Sequence, residues 1–231
     1  MKQYINLQPT ITGSFSFGWK KMFEKAFLTL LLAVVIVGLL NGPMGVSWKS
    51  DNFDWINLFW IFPVALVGIA YTFLFKPVID YGERYLFLKA IRDEEADLMI
   101  LFEGFKNKYF KIVLANLIVI GLIIIGFVLL IVPGIIVMVR LVFVPFLVMD
   151  KNMEPMEAVE KSWQMTRGHG WKIFGMGLLS LLIIIAGLLV FFFGVIISFM
   201  WIHSAFATLY QTLLNQNQLD NPIPILGVNE A

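Results

Sequence analysis

A few charged and titratable side chains lie inside long apolar segments, and these are the first places where chemistry could occur. Arg140 is the one charge well within the apolar run Tyr109–Met149. A charge inside a membrane span is costly and usually faces the protein interior, so it marks an ion pair or a site. Asp80 and Glu83 are the nearest carboxylates, and His203 lies in another apolar run. We therefore predict a candidate intramembrane polar site of Arg140, Asp80, Glu83 and His203.

Two interpretations of these residues stay open. Arg140 either snorkels or pairs with a carboxylate to fix the helices, or it binds a substrate or takes part in gating. His203 lies beside Ser204 and close to Thr208, which favours an interhelical hydrogen-bond donor over a proton relay. Pairing of Arg140 with Asp80 or Glu83 requires these side chains to lie at the same depth in the membrane. The predicted depths match poorly, because Arg140 is nearer the outer end of its span and the two carboxylates are near the inner end of theirs.

Most other kinds of site are disfavoured. The chain has no cysteine, and His169 and His203 cannot form a zinc site alone. It has no GxSxG, HExxH or phosphate-binding glycine motif, and its net charge of +1 does not predict nucleic-acid binding. A membrane enzyme acting on lipid head groups would need Asp80, Glu83 and Glu103 to converge. We predict no enzymatic activity, no cofactor and no metal.

The composition indicates an integral membrane protein. The 231 residues are 59% hydrophobic and 14% charged, with a mean hydropathy of +0.84. Soluble domains are typically about 45–50% apolar and about 25% charged. A soluble chain of this composition would expose large apolar patches, which monomers rarely do.

Apolar runs predict six transmembrane helices. A hydrocarbon core of about 30 Å needs about 20 helical residues, and two runs are about twice that length. Each long run must fold into a hairpin; Pro133-Gly134 is the predicted break in the first, and Gly194 in the second. The predicted fold is an all-α membrane protein of three hairpins with amphipathic interfacial helices on the cytoplasmic side. The spans lie near 26–42, 58–78, 111–132, 135–149, 173–193 and 195–214.

Charge predicts the orientation. Fifteen of the seventeen Lys and Arg residues flank the spans on one side, the exceptions being Lys49 and Arg140. Excess Lys and Arg mark cytoplasmic flanks. We therefore predict that both termini are cytoplasmic, with an N-terminal segment 1–25, a transmembrane domain 26–214 and a tail 215–231. The predicted location is the cytoplasmic (inner) membrane.

Three cytoplasmic segments are predicted to form interfacial helices, one of which is the short helix LMILFEGF that Asp97 caps. Asn152–Gly168 has Pro155 in a first turn, Glu157 near the helix start and Gly168 as a C-terminal cap. Gly13–Lys25 has aromatic residues at helical spacing with lysines opposite. Such helices either pack at the interface or form a docking surface for a partner.

The stretches LLIVPGIIVMVRLVFVPFLVMD and MEPMEAVEKSWQMTRGHGWKIFG together resemble a broad bacterial family of polytopic membrane proteins. That family includes the membrane domain fused to some glycerophosphoryl diester phosphodiesterases and uncharacterised YciC-like proteins. The resemblance implies a six-helix membrane domain and no phosphodiesterase activity. The matching positions, which suggest a structural motif, are Pro133, Gly134, Arg140, Glu157, Ala158, Ser162, Thr166, Gly168 and Trp171.

These observations lead to one functional prediction and one alternative. We predict a non-enzymatic multi-pass protein that organises or regulates an envelope or lipid process. Its partners would be the bilayer and either another protein or a second copy bound through the cytoplasmic helices. The alternative is a small transporter or channel. That role requires a cavity around Arg140, lined by residues from the set Asn116, Ser180, Ser198, His203 and Thr208.

Overall fold

A computed structural model describes residues 9–24, 26–40 and 55–220, and the regular structure there is entirely helical, which confirms the all-α prediction. The helices are α1 Ile11–Met22, α2 Phe27–Leu40, α3 Trp55–Ala70, α4 Lys76–Ile91, α5 Glu103–Asn107, α6 Tyr109–Leu129, α7 Ile131–Arg140, α8 Val144–Lys151, α9 Pro155–Met165, α10 Gly170–Leu189 and α11 Phe191–Asp220. A π-helical turn, Tyr71–Phe75, joins α3 to α4, and a 3₁₀ helix, Leu98–Phe102, precedes α5.

Three helices in the described residues are long and apolar enough to cross a membrane. They are Tyr109–Leu129, Ile131–Lys151 and Gly170–Leu189, and taking α1 and α2 together would add a fourth. The three correspond to the predicted spans 111–132, 135–149 and 173–193. The predicted span 58–78 falls on α3, the π-helical turn and the start of α4, and 195–214 lies within α11.

Some predicted features fall on residues outside the described part of the chain. These are the end of the first predicted span, 41–42, and residues 43–54 of the segment that joins it to the second. Residues 1–8 and 25 of the N-terminal segment and 221–231 of the tail also lie outside the described part.

The hairpin of α6 and α7 turns at Leu130, three residues before the predicted break at Pro133. Helix α6 ends at Leu129, Leu130 is extended, and α7 has begun before Pro133. Pro133 therefore lies in a first helical turn, where its missing N–H removes no intrahelical hydrogen bond. Gly126 and Gly134 instead permit close contact between the helices, because a Cβ on Gly126 would lie 2.9 Å from the Gly134 Cα and a Cβ on Gly134 would lie 2.6 Å from the Phe127 ring.

The hairpin of α10 and α11 also turns before its predicted break, Gly194. Helix α10 ends at Leu189 and α11 begins at Phe191, so the break is at Val190 and Gly194 lies within α11. A Cβ on Gly187 would lie 2.7 Å from the carbonyl oxygen of Gly194. Both hairpin tips are thus closed by a pair of glycines that flank the turn.

The predicted amphipathic segment 152–168 forms α9. Pro155 is its first residue, and Glu154 and Glu157 form a capping box, in which the Glu154 N–H donates to Glu157 Oε2 at 3.4 Å. Gly168 has a φ of +81°, a left-handed conformation that glycine adopts without strain. The segment predicted at Gly13–Lys25 forms α1, which begins at Ile11, and Thr10 caps it by accepting from the Gly13 N–H.

Most of the helices fall into two regions by what their apolar side chains contact, and α2, α5 and the first part of α11 are assigned to neither. We call α1, α4, α8, α9 and residues 200–217 of α11 the helical body. Its central helices bury nearly every apolar side chain, and Leu86, Phe87, Val144, Leu147 and Tyr210 are fully enclosed. We call α3, α6, α7 and α10 the apolar arms. The arms leave large apolar side chains exposed along their length, among them Phe62, Val128, Met138 and Leu188.

Candidate functional site

Arg140 is the last residue of α7, and its backbone is held by α9. Its carbonyl oxygen accepts a hydrogen bond from the Ser162 hydroxyl at 2.7 Å, and Ser162 Oγ accepts in turn from the Phe143 N–H at 3.3 Å. The last carbonyls of a helix lack intrahelical partners. Ser162 therefore satisfies both sides of the break between α7 and α8.

Thr166 supports the same contact from one turn further along α9. Its hydroxyl donates to the Ser162 carbonyl at 2.9 Å and lies 3.5 Å from the Arg140 oxygen. Both Ser162 and Thr166 are fully buried. These two members of the sequence motif thus fix the backbone that carries Arg140, while the Arg140 side chain remains unconstrained by them.

The guanidinium of Arg140 is only partly satisfied. Its Nη1 is buried, with no hydrogen-bond partner in the described part of the chain. The group lies over the Trp163 ring, with Cζ 5.8 Å from the ring centroid, a cation–π contact. A buried charged nitrogen without an acceptor is costly, so this side chain is suited to receive an anionic group.

Arg140 lies at one end of an apolar groove between α7 and the start of α10, with a volume of about 510 Å³. Its walls are formed by apolar side chains of the two helices, namely Val132, Ile135, Ile136, Val139, Trp171 and Phe174. Gly168 and Gly170 also line it, and a Cβ at either would meet no atom within 4 Å. Trp171, a motif residue, is 86% exposed along this groove rather than buried.

Glu83 and His203 come together, but with each other rather than with Arg140. His203 Nδ1 lies 3.3 Å from Glu83 Oε1, and the Glu83 side chain is buried. The contact is close enough for an ion pair but not directed as a hydrogen bond. The rings of Phe87 and Phe199 pack edge-on against the imidazole. This pair joins α4 to α11 inside the helical body.

Asp80 lines a second, smaller pocket of about 210 Å³ between α4, α6 and the α7–α8 break. Arg84, Tyr81 and Asn116 line the same pocket. Asp80 and Arg140 line different pockets, and the carboxylate of Glu83 contacts His203. The four predicted site residues therefore occupy three separate environments.

Sequence reasoning missed the most completely bonded polar cluster. The two terminal nitrogens of Arg92 bind the two oxygens of Asp150, with Nη2 to Oδ2 at 3.0 Å, and Arg92 Nε donates to Gln211 at 2.6 Å. The Tyr210 hydroxyl donates to Asp150 Oδ2 at 3.2 Å. Burial opposes the charge of Arg92, but the hydrogen bonds and charge of Asp150 outweigh it and raise the pKa of Arg92. No sequence signal connects these residues, which are 58 and 119 positions apart.

The hydroxyl groups proposed to line a transport cavity are bonded to backbone oxygens. Ser180 and Thr208 donate to carbonyls one turn earlier in their own helices, at 2.7 and 2.8 Å. Ser198 donates across the second hairpin to the Ile183 carbonyl at 3.1 Å. Within residues 9–24, 26–40 and 55–220, no group of three His, Asp or Glu side chains could hold a metal ion.

Comparison with known proteins identifies a family. A family model described as "Domain of unknown function (DUF7847)" matches residues 100–224, more than half of the chain. The matched segment includes α6 to α11, both hairpins and the Arg140 groove. No curated protein and no solved structure matches the chain. The resemblance to the phosphodiesterase-associated membrane domain stays a prediction.

Proposed function

This chain belongs to the family described as Domain of unknown function (DUF7847), and we propose that it is a non-enzymatic, six-span membrane protein. In this proposal it organises or regulates a lipid-related envelope process by binding rather than by catalysis. One observation carries the proposal, namely the separation of the helices into a body that buries its apolar side chains and arms that expose theirs.

The apolar arms support insertion into a bilayer. Large side chains such as Leu114, Val128, Leu182 and Leu188 are exposed on α6 and α10, and α3 exposes others. Exposed apolar surface of this extent is unstable in water but suits hydrocarbon, where helices satisfy their own backbone groups. The six spans would be α2, α3 with the start of α4, α6, α7 continued by α8, α10, and residues 195–214 of α11. Basic residues on α1, the second half of α4 and α9 favour a cytoplasmic location for these segments, in the inner membrane.

The carboxylates support binding over catalysis. Hydrolysis at a lipid head group would need Asp80, Glu83 and Glu103 to converge. Glu83 instead contacts His203, Asp80 lines the smaller pocket, and Glu103 lies 4.0 Å from Lys108. Three carboxylates in three environments do not form an acid–base pair.

The alternative, a small transporter or channel, would use a cavity shared by Arg140 and other polar groups. The pocket at Asp80, Arg84 and Asn116 is the observation that favours it. Arg140 lines a different pocket, however, with mainly apolar walls. This division supports binding at the arms more than passage between them.

Single-cysteine labelling tests the proposal, because the native chain has no cysteine and gives no background. Val190→Cys places a thiol at the second hairpin tip, and Glu160→Cys places one on the exposed face of α9. We expect a membrane-impermeant maleimide to label Val190→Cys in intact cells and Glu160→Cys only after permeabilisation. Labelling of Glu160→Cys in intact cells would overturn the orientation.

Membrane insertion itself is tested by alkaline carbonate extraction of the same cells. We expect the chain to remain in the pellet with integral membrane proteins. Release of the chain into the supernatant would overturn the membrane proposal as a whole, independently of the labelling result.

A further inference from the structure

We propose that the groove between α7 and α10 is a binding site for one anionic phospholipid, whose phosphate contacts Arg140. This inference rests on the proposed function, since the lipid must come from the bilayer around the arms. The site consists of Arg140 at one end and the apolar walls of α7 and α10 along its length. Its volume, about 510 Å³, is within the range of roughly 300–1,000 Å³ for small-molecule sites.

The charge of the groove selects an anionic group. Arg140 is the one charged residue among those that line it, so its charge is not neutralised within the groove. Nη1 of Arg140 is buried and has no acceptor among the described residues. A phosphate oxygen would supply that acceptor, and the planar guanidinium can bind two phosphate oxygens together.

The guanidinium has one ordered neighbour that does not use its donors. Trp163 lies against it through a ring contact, and Ser162 holds the Arg140 carbonyl rather than the side chain. Nη1 donates to no acceptor among the described residues and the residue is partly exposed, so its N–H groups remain available to a ligand. The ring contact limits the conformations of the arginine, which lowers the side-chain entropy that is lost on binding.

The walls of the groove select a hydrocarbon chain. Ile135, Ile136 and Val139 line one side, and Trp171 and Phe174 line the other. Trp171 and Phe174 are exposed, and the apolar surface continues along α10 to Leu178 and beyond. An acyl chain could thus enter from the hydrocarbon phase while its phosphate remains at Arg140. These features together favour a phospholipid over a free phosphate, which would make no use of the walls.

Native mass spectrometry of the purified full-length protein in mild detergent tests this site. Phosphatidylglycerol and phosphatidylcholine with identical acyl chains are titrated separately. We expect the native chain to bind phosphatidylglycerol at least about ten-fold more tightly, because the choline cation of phosphatidylcholine offsets the charge of the phosphate that would contact Arg140. Arg140→Gln should remove this preference, and it should weaken binding of phosphatidylglycerol more than binding of phosphatidylcholine. Arg140→Lys, which keeps the charge but not the planar fork, should retain part of it.

Lys106→Gln is the matched control for charge, because Lys106 is exposed on α5 and does not line the groove. It should bind both lipids as the native chain does. Thermal unfolding of each variant shows whether Arg140→Gln is folded before its binding is compared.

A second pair of variants tests the walls without changing any charge. Gly170→Leu places a side chain where the groove is open, and we expect it to weaken binding of both lipids. Gly177→Leu adds the same side chain to open space elsewhere on α10 and should have no effect.

Equal binding of the two lipids by the native chain would overturn the proposal, as would a phosphatidylglycerol preference that survives Arg140→Gln. Occupation of the groove by a second copy of the chain would also overturn it; the spectra would then show a dimer that Gly170→Leu dissociates and no bound lipid. None of these outcomes affects the labelling and extraction results, so failure of the lipid site is distinguishable from failure of the membrane proposal.

Discussion

The helical body and the apolar arms each contain a partly buried arginine, and the surroundings of the two differ sharply. In the body, Arg92 binds both oxygens of Asp150 and the amide oxygen of Gln211. In the arms, the side chain of Arg140 has an aromatic ring beside it and one buried nitrogen without an acceptor. The first arrangement is complete without a ligand, whereas the second is not. The comparison supports a stabilising role for Arg92 and the proposal that Arg140 belongs to a binding site.

The largest effect is expected from breaking the complete arrangement. Arg92→Gln would leave the buried carboxylate of Asp150 with only the more exposed Lys151, 3.7 Å from Oδ2, as a cation. We expect a loss of about 3 kcal/mol in the free energy of unfolding, the lower end of the cost of breaking a buried pair. Denaturant titration in detergent, followed by circular dichroism, measures it. Lys111→Gln is the control: its pair with Glu154 is largely exposed, so the loss should be below about 1 kcal/mol. Similar losses in both variants would contradict the role assigned to Arg92.

A smaller effect is expected at the tip of an arm. Gly187→Ala would place a Cβ 2.7 Å from the Gly194 carbonyl oxygen and against Ser198, and overpacking of this kind costs about 1–3 kcal/mol. Gly177→Ala on the same helix meets no atom within 4 Å and should be neutral or slightly stabilising. The same titration compares them. If Gly187→Ala is as stable as Gly177→Ala, the tips are not held by close glycine contacts.

A similar or slightly smaller effect is expected where body and arm meet. Ser162→Ala would leave the Arg140 carbonyl and the Phe143 N–H without their shared hydroxyl, at a cost of about 1–2 kcal/mol. Ser180→Ala is the control. The Ser180 hydroxyl donates to the Met176 carbonyl, which already accepts a backbone hydrogen bond within α10, so its loss leaves no backbone group unpaired. An equal loss in the two variants would show that the α7–α8 break does not depend on Ser162.

The smallest effect on stability is expected at Arg140 itself. Arg140→Gln removes a cation–π contact worth about 0.5–1 kcal/mol, but it also removes an incompletely satisfied charge. We expect a change in the free energy of unfolding within about 1 kcal/mol in either direction. A loss as large as that of Arg92→Gln would remove the distinction between the two arginines.

The arrangement of the long apolar runs as helical hairpins could be predicted, because it depends only on the number of residues in each run. A run twice the length of a span has to turn back, and both long runs do. The positions of the turns could not be predicted, because proline is tolerated in a first helical turn and glycine serves close contact as readily as a bend. Pro133 and Gly194 each illustrate one of these ambiguities.

The candidate site was predictable only in part, for a related reason. Arg140 was identifiable because a single charge in an apolar run is conspicuous. Its environment was not, since partners that meet in space are far apart in the chain. The sequence suggested Asp80 or Glu83 as its partner, whereas Ser162 holds its backbone and Trp163 covers its side chain. The Arg92–Asp150 pair was missed because both residues lie at the ends of helices, where charges are ordinary.

The contact between α1 and α11 has a consequence for the order in which the chain can fold during synthesis. Trp201 donates to the Phe15 carbonyl at 2.8 Å, and a Cβ on Gly18 would collide with the backbone of Ser204 and Ala205. The hairpins join residues close in sequence and can form as soon as they are made. Helix α1, in contrast, can form this contact only after α11 has been synthesised, because Phe15 and Trp201 are 186 residues apart in the chain. Until then the face of α1 that contains Phe15 and Gly18 stays uncovered, so a chain that stops before α11 would present that face to proteases and to aggregation.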